Sequence, residues 1–381
     1  MTLDRYNAFA YRDDAATGSE DGTLAGLSVG VKANIMVEGM PFHAGIGAWE
    51  YRKADRDAEV VAKLRAAGAA ITGVLHMEEA ALGSKTDNPH FGPVQNPHGE
   101  GFSPGGSSGG SGAAVSAGLV DIAFGTDTMG SVRIPASHCG VYGFKPATSR
   151  VSQDGLEPAD LSLDAIGPLA RDLDTLEKAA RVISDFGENQ EAFSGAVLVD
   201  HGVEIDSEVA RAFRRTVAGL KAPPAEVSLE HPCSRIRYAG FIQVSKVMAK
   251  HLQGVPVSDH LAKLLTYGPA RASEKWGEDR HILERTSETV RTIIAEHGFL
   301  IMPTVPNPPF KHTEPEPPAQ ADFTCLANIA GVPALSMPMG CTEWGLPLGV
   351  QMLCAPGFEK GLFALARFLD NNLRAYRAPA C

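Results

Sequence analysis

Two glycine-rich loops that carry serines lie close together between Gly101 and Ala147, a stretch holding seven serines and two short apolar runs. The first loop is GGSSGGSG, Gly105 to Gly112, and the second is GTDTMGSVRIPA, Gly125 to Ala136. Serines set this way suit nucleophilic acyl transfer, which needs a base to take the hydroxyl proton. Phosphate cradling is the other use of such loops, but the chain has no Gly-Lys dipeptide and the first loop follows no clear strand, so neither a P-loop nor a dinucleotide fingerprint can be written. Gly105 to Gly109 matches G-x-S-x-G around Ser107, yet the preceding NPHGEGFSP is loop material where a hydrolase elbow needs a strand. No lysine has a serine three residues before it, so a Ser-x-x-Lys pair is absent. A lysine base must then come from farther away, and Lys32, at the end of the apolar run LAGLSVGV, is the candidate. Taken singly, Lys32 also reads as a surface residue past a strand, the first loop as a flexible linker and the second as an ordinary loop before a helix.

The elements that must position these groups are legible from periodicity. Leu24 to Val31 reads as a strand that delivers Lys32 at its end. Asp57 to Ala69 reads as a helix with Val60, Val61 and Leu64 on one face, capped by Asp57 and closed by Gly68. Ala70 to Met77 is strand-like, MEEAALG from Met77 reads as a short helix, SGAAVSAG as a helix of small residues, and LVDIAFG as a buried strand. Strand and helix thus alternate before and through the serine loops, which favours a mixed or parallel sheet with the loops at element ends. Leu173 to Phe186 is an amphipathic helix, Ala196 to Asp200 strand-like, Ser207 to Lys221 and Phe241 to Glu296 helical, and Phe299 to Pro309 a buried strand ending in a proline-broken loop. FTCLANIAGVPALSMPMG and GVQMLCAP follow, then an amphipathic helix at Lys360 to Leu373. Gly187 to His297 carries no motif.

Composition narrows the class. The chain has 381 residues, 44% apolar and 21% charged, ordinary for a globular protein with a sizeable core and without a linker that splits it. A net charge of −11 without any Lys/Arg run argues against a nucleic-acid surface. The acidic start does not resemble a secretory signal, and no run of about 18 apolar residues could span a bilayer, so the expectation is a cytoplasmic protein without membrane partners. Six scattered cysteines (Cys139, Cys233, Cys325, Cys341, Cys354, Cys381) form no metal-ligand spacing and read as reduced thiols.

Together the two loops resemble the amidase signature family: PGGSSGGS, then GTDTxGSxRxPA, then GxxGxKP, with Ser107 and Ser131 spaced 24 residues apart. VKANI at Val31 to Ile35, DAEVVAKLRAAGA, the NPH before the glycine loop, LDAIGPLARDLDTL, NIAGVPALSMPMG and GLPLGVQ extend the likeness over most of the chain outside Gly187 to His297. The resemblance implies an α/β fold with a central mixed β-sheet flanked by helices. It implies one domain spanning 1–381, with 187–297 a variable helical cover over the substrate site. It implies Ser131 as nucleophile, Ser107 as bridging serine, Lys32 as base, and a cis peptide between Gly106 and Ser107. The backbone N–H groups of Thr128, Met129, Gly130 and Ser131 would form the oxyanion hole. Asp127 and Arg133 match the family's loop and read either as loop support or, for Arg133, as a contact to a substrate carboxylate. Nothing in the family gives neighbouring His138 and Cys139 a catalytic role, so both read as packing residues.

Two departures stand out. Met129 occupies a position where the family most often has a small residue; a Cβ there disfavours positive φ, and the side chain should reshape and narrow the acyl site. Lys32 also comes early, without the helical turns that often precede it in relatives, which leaves any membrane contact or dimerisation by such turns open. The expected function is hydrolysis of the C–N bond of a small linear amide, including carboxylate-bearing or urea-like ones. The alternatives are the ammonia-releasing A-type component of a tRNA-dependent amidotransferase and a non-catalytic binding protein. No cofactor or metal is implied, and the expected partner is a small-molecule amide, with a homodimer or a small accessory subunit left open.

Overall fold

A computed structural model describes residues 4–189 and 195–380. Its frame is one eleven-stranded mixed sheet. The chain enters through strands β1 (Phe9–Arg12), β2 (Ser28–Lys32) and β3 (Ala70–Leu75), with helix α1 (Glu59–Ala66) between the last two. A two-stranded ribbon, β4 (Asp87–Asn88) and β5 (Gly92–Pro93), precedes α2 (Gly109–Ser116), β6 (Ile122–Asp127), α3 (Arg133–His138), β7 (Tyr142–Lys145), β8 (Ala165–Ala170) and α4 (Leu173–Ile183). There follow β9 (Ala196–Leu198), α5 (Ser207–Ala218), β10 (Ala225–Val227), and the helices α6 (Cys233–His251), α7 (Asp259–Thr266) and α8 (Ser273–His297). The chain closes with β11 (Phe299–Pro303), α9 (Cys325–Ile329), β12 (Ala334–Cys341), β13 (Pro347–Cys354) and α10 (Glu359–Leu373).

The strand order is β1-β3-β2-β6-β8-β7-β12-β13-β11-β9-β10. β2 runs parallel to both β3 and β6, whereas β6 pairs antiparallel with β8. Every residue of β6, β8 and β13 is buried, as strands covered by helices on both faces must be. This is why they read in sequence as continuous rather than alternating apolar runs. α1 and α4 pack against one cluster with Val29, Val31 and Phe124, and α10 covers another with Phe144 and Val350.

Three local expectations are corrected. Leu24 to Leu27 make turns, so the strand begins only at Ser28. The cap of α1 is Ala58, without a side-chain bond; Asp57 instead accepts from the Glu38 N–H and the Arg65 Nε. After Met77 there is a single 3-10 turn over Glu79–Ala81, because Ala80 and Ala81 sit at φ of 51° and 61°, where an α-helix cannot continue. The helical pattern over Phe241 to Glu296 resolves into the end of α6, all of α7 and most of α8, interrupted around Gly254 and Pro256 and again around Gly268 and Pro269, where the backbone cannot continue the ladder.

The first serine loop is not a linker. From Gly109 it is the first turn of α2, all eight residues of which are buried. A Cβ at Gly109 would lie 2.4 Å from Thr86 Oγ1, and one at Gly110 would lie 2.4 Å from the His76 carbonyl oxygen. The glycines are there because neighbouring backbone and side chains pass where a Cβ would stand.

Candidate active site

Lys32 ends β2 with its side chain wholly buried. Its Nζ lies 2.8 Å from Ser107 Oγ and 2.8 Å from Thr126 Oγ1 on the neighbouring strand β6. Parallel pairing of β2 with β6 brings Lys32 and Thr126 to the same end of the sheet, and Asn34 Nδ2 donates to the same threonine hydroxyl. Burial pushes the Lys32 ammonium from 10.5 down to about 7, against the opposing pull of Asp164, Asp127 and Glu78.

Ser107 follows a cis peptide bond from Gly106 and is itself buried. A Cβ on Gly106 would stand 2.8 Å from the carbonyl carbon of Ser84, so this position admits only glycine. The Ser107 carbonyl accepts from the Glu78 N–H, and the Glu78 carboxylate accepts in turn from the Thr86 N–H. Burial, reinforced by Glu316, raises the Glu78 carboxyl to about 7.

Ser131 sits in the loop between β6 and α3 and lines a cavity of about 380 Å³. Asp127, at the end of β6, accepts the N–H groups of Val132 and Arg133, whereas no described partner accepts those of Met129, Gly130 and Ser131. Gly130 has φ of 136°, and a Cβ there would lie 2.2 Å from Thr324 Oγ1. That threonine hydroxyl donates to the Met129 carbonyl at 2.6 Å. Thr128 donates from its hydroxyl to Asp164, whose other carboxylate oxygen accepts the Ala159 and Asp160 N–H groups. Burial raises the Asp164 carboxyl to about 6. The loop is thus pinned on both sides of Met129, with its amides uncommitted.

Arg133 does not face the cavity. Both it and Asp127 are wholly buried; the guanidinium donates to Asp127 at 3.0 and 2.9 Å, to Asn328 Oδ1 at 2.7 Å and to Gln351 Oε1 at 2.7 Å. Burial alone would raise the Asp127 carboxyl, but Arg133, together with Lys145 and Asn328, outweighs it and holds the group below the usual range. With its donors taken, Arg133 ties the loop to α9 and β13, and the expectation that it meets a substrate carboxylate is overturned. An arginine that does line the cavity is Arg237, on α6, paired with Asp322.

Met129 stands in the same loop. Its φ is not positive, so the loop places a glycine, not the methionine, in the left-handed region. Its side chain is half-buried and lines the cavity. α6 and α7 supply Tyr238, Phe241, Val244, His260 and Leu264 to the same walls, with Tyr267 just after α7. The ring of Phe241 lies 6.5 Å from Tyr238 and 5.6 Å from Tyr267, so this side is an aromatic surface. His138 and Cys139 are buried; the histidine ring packs edge-on to Phe310, and burial pushes the thiol well above its ordinary value, which leaves no nucleophilic Cys/His pair.

The Lys32–Ser107 pair can pass a proton between a hydroxyl and a neutral amine. The loop around Ser131 can also offer free backbone amides to a developing oxyanion, where one donor contributes roughly 3–4 kcal/mol. Residues that sequence reasoning missed are Thr126, Asn34, Glu78 and Asp164. Thr126 and Asn34 lie inside the quoted motifs, two residues or fewer from named positions, and a strand-pairing argument would have found Thr126. Glu78 and Asp164 carry no spacing signal. Cys139, Cys233, Cys325, Cys341 and Cys354 are free thiols, and Cys381 lies outside the described residues. Among the described residues no helix is long and apolar enough to cross a membrane.

The family model described as Amidase matches residues 4–363. The A component of the glutamyl-tRNA(Gln) amidotransferase from Methanobrevibacter smithii is 32% identical, over 96% of this chain and 89% of its own length. The crystal structure of the corresponding A component of the glutamyl-tRNA(Gln) amidotransferase of Thermotoga maritima superposes with a TM-score of 0.88 at 28% identity, covering 98% of this chain and 90% of that one. A protein from a complex described as revealing the evolutionary origins of an s-triazine catabolic enzyme superposes with a TM-score of 0.89 at 27% identity, covering 99% and 93%.

Proposed function

The chain belongs to the amidase signature family, and from that premise we propose that it cleaves the C–N bond of a carboxamide through an acyl-enzyme on Ser131. Ser131 Oγ attacks the carbonyl carbon, its proton passes through Ser107 to neutral Lys32, and the N–H groups of Met129, Gly130 and Ser131, with Thr128 completing the loop, receive the oxyanion. Lys32 returns the proton through Ser107 to the departing nitrogen, and water then releases the acid from Ser131. The observation that carries this reading is the 2.8 Å contact between Lys32 Nζ and Ser107 Oγ in a buried setting that brings the amine near neutrality, in a chain whose Ser131 opens onto the cavity.

The curated relatives support the setting in which this chemistry works: an A-type amidotransferase component that liberates ammonia from glutamine for use with a partner protein. A second reading, hydrolysis of a free small amide with an apolar portion, is favoured by the aromatic surface formed by Tyr238, Phe241 and Tyr267. Ammonia release from L-glutamine, measured for the purified chain and for the chain recovered with co-purifying proteins, separates the two. Glutaminase activity that rises with a bound partner supports the first. Turnover of alkyl or aryl amides without glutaminase activity replaces it by the second. Loss of fluorophosphonate labelling in Ser131→Ala tests the nucleophile under either, and a folded wild-type chain that takes no label on Ser131 refutes both.

A further inference from the structure

We propose that the contact between Met129 and Gly240 sets the depth of the compartment that receives the acyl part of the substrate; this rests on Ser131 being the acylated residue. The acyl group stays on Ser131 through both half-reactions, so the walls nearest that serine are the ones it meets. Met129 is two residues away, and its backbone is held by the Thr324 hydroxyl on its carbonyl and by the neighbouring Thr128–Asp164 bond. Its freedom is therefore in the side chain, which lines the cavity and reaches across to α6.

The place it reaches is a glycine. A Cβ built on Gly240 would lie 3.0 Å from Met129 Cε and 3.6 Å from its Sδ, so the methionine tip occupies the space that any larger residue at 240 would claim. Gly240 lies mid-helix in α6, directly before Phe241 and two residues after Tyr238, both of which line the cavity. Glycine inside a helix is unfavourable relative to alanine, and its φ is not positive, so α6 has no backbone need for it. The close approach of Met129 supplies the reason. An unbranched thioether with three rotatable bonds is well suited to fill such an irregular gap, and it closes the cavity on the side where a small residue at 129 would leave it open toward α6.

The two sides of this contact make opposite predictions. Met129→Ala removes the filler and lengthens the compartment. Gly240→Ala pushes the methionine tip back into the cavity and shortens it, while alanine favours the helix. The assay is ammonia release from unbranched primary amides, acetamide to hexanamide, with kcat/KM determined for each. Met129→Ala is expected to raise the hexanamide-to-acetamide ratio by at least about tenfold, the scale on which hydrophobic pockets sense methylenes, and Gly240→Ala to lower it. In the double variant, Gly240→Ala should have lost its effect, since the group it displaces is gone.

Ratios unchanged in both single variants, with Ser131 still labelled, overturn the inference alone. A change seen only with the amine portion of N-alkyl amides also overturns it. Absence of any Ser131-dependent turnover or labelling overturns the acyl-enzyme reading and this inference with it.

Discussion

Replacing Lys32 by methionine separates the base from the fold, because the two effects have opposite signs. The buried amine is lowered from 10.5 to about 7, with burial as the largest cause. At pH 8 an amine with that value is about 90% neutral, whereas an unperturbed lysine is about 0.3% neutral, so the site holds on the order of 300-fold more free base. Losing it should cost about 10³-fold in kcat/KM, within the span of general-base contributions. The same depression is a stability cost. A folded-state value below the unfolded one means that the unfolded chain binds more protons between about pH 7 and 10.5, so wild-type stability rises with pH across that window and is lowest below it. A depression of this size corresponds to about 5 kcal/mol. Methionine removes it and leaves the hydroxyls of Ser107 and Thr126 short of a partner, at about 1–3 kcal/mol each. Lys32→Met should therefore be inactive yet more stable than wild type near pH 7, by up to about 3 kcal/mol. That advantage should shrink by about 1.4 kcal/mol per pH unit as the pH rises. Urea denaturation of both proteins at pH 7 and 9, beside ammonia-release kinetics, measures each part. A stability difference that does not change with pH, or a variant that keeps more than about a tenth of wild-type turnover, refutes the assignment.

Ser131→Ala should abolish both fluorophosphonate labelling and turnover with Tm unchanged, and Ser107→Ala should lower the labelling rate by about 10²-fold or more, each read by gel fluorescence and thermal melts. Arg133→Met strands the buried Asp127 carboxylate and should destabilise the fold by about 3–5 kcal/mol, measured by chemical denaturation. Its KM for carboxylate-bearing and neutral amides should change together, because Arg133 lies outside the cavity. Asp164→Asn removes the strongest of the charges that oppose burial at Lys32, so the ascending limb of the pH–rate profile, expected near pH 7 in wild type, should move to lower pH. A limb that stays in place would separate Asp164 from the base.

Particular residues show where sequence reading sufficed. Lys32 ends an apolar run, and Ser107 and Ser131 stand in loops whose glycines permit backbone that no other residue adopts. Those are local properties, and the structure places Lys32 against Ser107 and Ser131 on the cavity. Arg133 shows the opposite. Its loop is legible, but its direction is set by Asn328 and Gln351, 195 and 218 residues away. Asp57 and the segment after Met77 misled for a smaller reason: a capping side chain and a helical pattern were both present, and tertiary hydrogen bonds and positive φ values overrode them.

What the sequence by itself determined is the mixed α/β framework and, through its resemblance to the amidase signature family, the roles proposed for Lys32, Ser107 and Ser131, since strand burial, glycine spacing and loop chemistry act over a few residues and leave a pattern along the chain. Only the tertiary structure decided which charges Lys32 feels, that Glu78 braces the Ser107 loop and Asp164 the loop before Ser131, and that α6 and α7 wall the cavity. Those depend on which distant segments meet and on how deeply each group is buried. Desolvation, the force that brings Lys32 near neutrality, exists only once the sheet has closed around it.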